Sequence, residues 1–157
     1  MSPPRPARIA AALCAAVLAA VPAASAPVVP ADLPTPAPGL DRALAQDYRK
    51  ALEKQGIRVT ALLIVDHRAK GGVRRADIVY TTRTKGTLEV LRPEVVRVLG
   101  PGANPRLALD QIVVRPSRAD GAVIAAITVT VVDLDLWLKA HLSDQEFYRR
   151  WVVRPGR

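Results

Sequence analysis

The run at residues 121–132, Gly-Ala-Val-Ile-Ala-Ala-Ile-Thr-Val-Thr-Val-Val, constrains the fold of this chain more than any other stretch. Eight of its twelve residues are β-branched, and it carries neither charge nor proline. Val123, Ala125, Ile127, Val129 and Val131 fall on one face of an extended chain. Ile124, Ala126, Thr128, Thr130 and Val132 fall on the other. The first face is wholly apolar and the second is mixed. That contrast predicts a central strand with one face in the core and the other partly covered. Such a strand needs pairing partners and a covering layer, and the flanking sequence supplies candidates for both.

Residues 40–55 repeat Leu40, Leu44, Tyr48, Ala51 and Leu52 at helical spacing, with Arg42, Arg49, Lys50 and Lys54 turned away. Gly56 stands where a left-handed C-terminal cap belongs. Residues 58–66 and 76–83 are predicted strands, joined by a polar turn at 67–75 that contains Gly71-Gly72. Val59, Ala61, Leu63 and Val65 are expected to share a face of the first strand. Ile78, Tyr80 and Thr82 are expected to share a face of the second. Residues 87–99 carry the helical stripe Leu88, Leu91, Val95, Val98 and Leu99, interrupted by Pro93. A proline costs roughly 3 kcal/mol in a helix interior, so the helix either kinks there or restarts with Pro93 at its first position. Residues 100–105 are a Gly/Pro loop, 107–115 a third strand, and 116–121 a turn marked by Asp120-Gly121.

After the central strand, residues 133–142 read as a helix capped by Asp133 or Asp135. Ser143 and Glu146 form a capping box for a last helix running through Trp151, with Leu142 and Phe147 as a hydrophobic staple across it. The expected fold is α+β, in the order α-β-β-α-β-β-α-α. Two hairpins form one four-stranded antiparallel sheet, and the helices pack on one face. Trp137, Phe147 and Trp151 are expected to seal the core, each burying an area on the order of 150–250 Å². The domain is expected at residues 40–152, with 153–157 a frayed tail.

The N-terminal end reads differently. Arg5 and Arg8, the apolar stretch 9–21, Pro22 and Ala24-Ser25-Ala26 make residues 1–26 an expected secretory signal, cleaved after Ala26. The apolar stretch is shorter than the roughly 20 residues a spanning helix needs. Residues 27–39 follow as a proline-rich linker. Cleavage would remove Cys14, the one cysteine, and with it any disulfide or thiolate chemistry. It would also take 23 basic residues to 21 against 14 acidic ones, a net charge of +7. Arginine outnumbers lysine by 18 to 5, a bias that accompanies GC-rich bacterial coding. The expected location is therefore periplasmic or extracellular.

Little in the sequence points to chemistry. His67 and His141 lie 74 positions apart and match no metal-ligand spacing, so no metal is expected. No G-x-S-x-G, P-loop or G-x-G-x-x-G occurs, and Ser117 and Ser143 have structural roles as turn and cap. Asp133 and Asp135 are explained as helix-start carboxylates. No catalytic residue and no cofactor are assigned. The expected function is a non-catalytic exported module that binds another protein or envelope component, with the oligomeric state open. The alternative is a binder of polyanions or anionic membrane surfaces through the basic loop 67–75. Its candidate residues are Arg68, Lys70, Arg74 and Arg75. Aromatic residues make up 4% of the chain and do not interleave with this loop, which argues against nucleic acid as the partner.

Overall fold

The computed structural model describes residues 41–156. The expected signal and proline-rich linker lie outside the described residues. The elements are α1 (Arg42–Lys54), β1 (Arg58–Asp66), β2 (Arg74–Thr81), α2 (Leu88–Leu99), β3 (Gln111–Ser117), β4 (Ala125–Thr130), α3 (Val131–Leu138), α4 (Asp144–Arg149) and β5 (Val152–Pro155). The fold is α+β, as expected, but the sheet differs from the expected one in two respects.

First, it is mixed. The strand order is β1-β2-β3-β4-β5, with β2 and β3 parallel and every other pair antiparallel. Both expected hairpins form. Between them, α2 packs on the sheet and returns the chain to the end where β2 began, so β3 leaves in the direction of β2. The return is fixed there by Asp110, whose amide donates to the Arg74 carbonyl at 2.8 Å and whose carboxylate accepts from the Arg74 amide at 2.7 Å.

Second, a fifth strand is present. Most of the expected frayed tail, together with Val152, pairs with β4 as β5: Thr128 faces Val152, and Ala125 faces Pro155. The motif is only four residues long, below the length at which alternation is legible.

The run at 121–132 is extended only in part. β4 spans Ala125–Thr130, and its buried residues alternate as expected: Ala125, Ile127 and Val129 are buried, while Ala126, Thr128 and Thr130 are half-buried. It lies second from one edge, and β3 is the central strand. Val131 and Val132 begin α3 instead of ending the strand. Thr130, not Asp133 or Asp135, caps α3: its hydroxyl accepts from the Asp133 amide at 3.1 Å and donates to the Asp133 carboxylate at 2.6 Å. In β1, register slips between Val59 and Ala61. The bulge moves Val59 onto the helix-covered face and leaves Ala61, Leu63 and Val65 on the other.

All four helices contribute to one apolar cluster on a single face of the sheet, around Ile78, Tyr80, Ile112, Val114 and Ile127. α2 is continuous through Pro93, with Leu91, Val95, Val98 and Leu99 fully buried. That burial, on the order of 1.5–3 kcal/mol per side chain, outweighs the proline's cost. The capping box at Ser143 and Glu146 is formed, and Phe147 is buried one residue after it. Phe147 stacks on Trp137 at 5.0 Å and meets Trp151 edge-on at 5.6 Å. α4 ends at Arg149, two residues short of the expected Trp151, which is buried just beyond it. On the opposite face of the sheet, Asp77 is fully buried between Arg75 and Arg115, each donating to it at 2.8 Å.

Candidate functional site

The sheet has two arginine-rich ends. At one, the β1–β2 hairpin carries the four candidate residues named from the sequence, and the structure places three of them against carboxylates. Arg68 donates to Asp66 through Nε and through Nη2, the latter at 2.7 Å. Arg74 donates to Asp41 at 3.1 Å and lies 3.8 Å from Asp66. Arg75 donates to buried Asp77 at 2.8 Å. Only Lys70 of the four has no carboxylate partner among the described residues. Hydrogen bonds from the side chain and backbone of Arg68 hold the Asp66 carboxyl at about 2, below the usual range. That carboxylate is engaged by Arg68 and Arg74. Among the described residues no three His, Cys, Asp or Glu side chains gather as a metal ion would need.

The opposite end holds a cleft of about 860 Å³. It opens where β1 starts and where the parallel pair β2 and β3 ends. Arg58 enters from the first residue of β1. Arg83 and Lys85 come from the connection between β2 and α2, and Arg118 from the turn after β3. Among the described residues, four cations thus face a single lining carboxylate, Asp120, which accepts from the Ala122 amide at 3.0 Å. All four are exposed, and none is ion-paired with a carboxylate among the described residues.

The walls are held in place by the fold. The Thr82 amide donates to the Ser117 carbonyl at 2.9 Å, and the Ser117 hydroxyl donates to the Tyr80 carbonyl at 3.0 Å, which ties the ends of β2 and β3 together. The buried Thr82 hydroxyl donates to Glu94 on α2 at 2.6 Å and accepts from the Thr84 amide at 2.9 Å. The loop carrying Arg83 is therefore anchored on both sides while the Arg83 side chain stays in solvent. Burial, then the neighbouring Glu94 charge, raises the Tyr80 hydroxyl above its ordinary range, so it stays protonated beneath this loop.

Past Arg58 and Arg83 the cleft continues into an adjoining recess of about 370 Å³ that reaches Gly56, Pro93, Arg97 and the carboxylate of Glu94, which also accepts from Thr82. Arg97 donates to the Gln55 carbonyl at 2.7 Å. Fixed polar walls and unneutralised cations equip this surface to hold anionic oxygens through charge-assisted hydrogen bonds. Arg58, the pair Arg83 and Lys85, and Arg118 lie on different segments of the sequence, and no local spacing joins them. The register Arg58–Thr81–Ser117 across β1, β2 and β3 brings them to one edge.

No known protein family, curated protein or solved structure matches this chain. Among the described residues, no helix is long and apolar enough to cross a membrane.

Proposed function

We propose that this protein is an exported, non-catalytic binding module whose partner is an anionic component of the cell envelope, held in the cleft at the ends of β2 and β3. One observation carries the reading: four cations line one cleft without carboxylate partners among the described residues, whereas Arg68, Arg74, Arg75, Arg115 and Arg150 each face a carboxylate within 3.1 Å. Unpaired like charges repel one another, and a bound anion relieves that repulsion. The cleft takes over the role first assigned to the hairpin loop, because Arg68, Arg74 and Arg75 each already face a carboxylate.

The non-catalytic part of the reading is supported by how the reactive side chains are used. Ser117 bonds the Tyr80 carbonyl, Ser143 caps α4, and the Asp66 carboxylate beside His67 is taken by Arg68. Export rests on the sequence pattern of residues 1–26.

The test is retention of the full chain on immobilised heparin, used as a generic polyanion. Retention is expected to fall with added salt as charges are screened. It is expected to collapse in the double variant Arg83→Gln/Arg118→Gln. Unchanged retention in that variant would remove the cleft as the site.

A further inference from the structure

We infer that the cleft's ligand is a linear chain of phosphate groups, and not a single anion or a polymer read through its rings. The inference rests on the anion-binding reading above and deepens it. The first ground is charge. Among the described residues, four lining cations stand against one carboxylate, so a ligand with a single negative charge would leave most of the repulsion in place.

The second ground is extent. Arg58 pairs in register with Thr81, Thr81 pairs with Ser117, and Arg118 follows directly. Neighbouring strands are about 4.8 Å apart, so the backbone positions bearing Arg58 and Arg118 are separated by roughly 10 Å across the sheet end. Arg83, two residues beyond Thr81, stands between them. A chain of phosphates sets successive charges a few ångströms apart and can meet all three arginines in turn. The fork of each guanidinium matches a pair of phosphate oxygens.

The third ground is the absence of stacking surface. The chain has two tryptophans, three tyrosines and one phenylalanine. Tyr48 and Tyr80 are buried in the core. Trp137, Phe147, Tyr148 and Trp151 pack on one another around α4. No aromatic residue is left for the cleft, whose lining has Thr84 beside the cations. Proteins that hold single-stranded nucleic acid stack its bases on aromatic rings, and this cleft has none.

Calorimetric titration of the full chain with sodium orthophosphate, sodium tripolyphosphate and ATP tests the inference. Tripolyphosphate is expected to bind at least tenfold tighter than orthophosphate, and ATP no tighter than tripolyphosphate. Arg58→Gln and Arg118→Gln, at the two ends of the row, are each expected to weaken tripolyphosphate roughly tenfold. Both side chains are exposed, so a matching unfolding midpoint will certify each variant's fold. Equal affinity for orthophosphate and tripolyphosphate would overturn the inference, and so would tighter binding of ATP or indifference to either substitution. If heparin is retained through Arg83 and Arg118 while tripolyphosphate fails to bind, the phosphate-chain inference falls and the anion-binding reading stands. If neither binds, both fall.

Discussion

The two ends of this sheet are built from the same residue type and use it in opposite ways. At the hairpin end, Arg68, Arg74 and Arg75 are spent on Asp66, Asp41 and Asp77. At the cleft end, Arg58, Arg83 and Arg118 converge on a cavity in which, among the described residues, Asp120 is the one lining carboxylate. The side chain of Arg74 is 13% exposed and belongs to the packing. Those at the cleft lie in solvent, over a loop that Thr82 anchors from below. A count of basic residues in the sequence ranks the hairpin first. The three-dimensional partners reverse that order, because an arginine already facing a carboxylate has little left to offer a ligand.

The largest expected effect lies on the structural side of this contrast. Asp77→Asn removes a fully buried carboxylate that accepts from two arginines. Breaking such a buried pair by deleting one partner costs about 3–5 kcal/mol, read as a lowered midpoint in denaturant unfolding. Arg74→Gln should cost less, roughly 1–2 kcal/mol, since its partners Asp41 and Asp66 are partly solvated. If either change were neutral for stability while abolishing anion binding, the division between the two ends would fail.

Acid sharpens the comparison further. The folded Asp66 carboxyl titrates at about 2 and Glu146, bonded to Ser143, also lies below its usual range. Burial raises Asp133, but the Thr130 hydroxyl and Arg150 outweigh it and hold that group low as well. A depressed carboxylate contributes stability that is complete above its unfolded value near pH 4 and is lost as pH falls toward the folded value. The unfolding midpoint should therefore be flat above about pH 5 and drop below about pH 4. With Asp66→Asn the drop should be shallower.

The smallest stability effect is expected in the cleft. Arg83→Gln/Arg118→Gln should shift unfolding by no more than about 0.5 kcal/mol, because exposed unpaired side chains contribute little to the folded state.

How much of this was legible in the sequence follows from how local each feature is. The capping box at Ser143 and Glu146 spans four residues and is present as read. The alternation of Ala125, Ile127 and Val129 marks a buried face regardless of neighbours. The cap at Thr130 was legible too: Thr-x-x-Asp from Thr130 to Asp133 has the same spacing, but the long β-branched run hid the strand's end. The bulge between Val59 and Ala61, the parallel pairing of β2 with β3, and β5 depend on contacts between segments distant in sequence. The cleft belongs with these. Arg58, Arg83 and Arg118 are separated by tens of residues, and only the strand register sets them side by side.

The central claim is that free cations at the cleft bind while paired cations at the hairpin fold. The most direct measurement compares two double variants that remove the same charge, Arg83→Gln/Arg118→Gln and Arg68→Gln/Arg74→Gln, for tripolyphosphate binding at one ionic strength. Equal net charge removes the protein's overall field as an explanation. The cleft variant is expected to lose binding by more than tenfold, with the hairpin variant within a factor of about two of the unmodified chain. Equal losses, or a greater loss from the hairpin variant, would contradict the account.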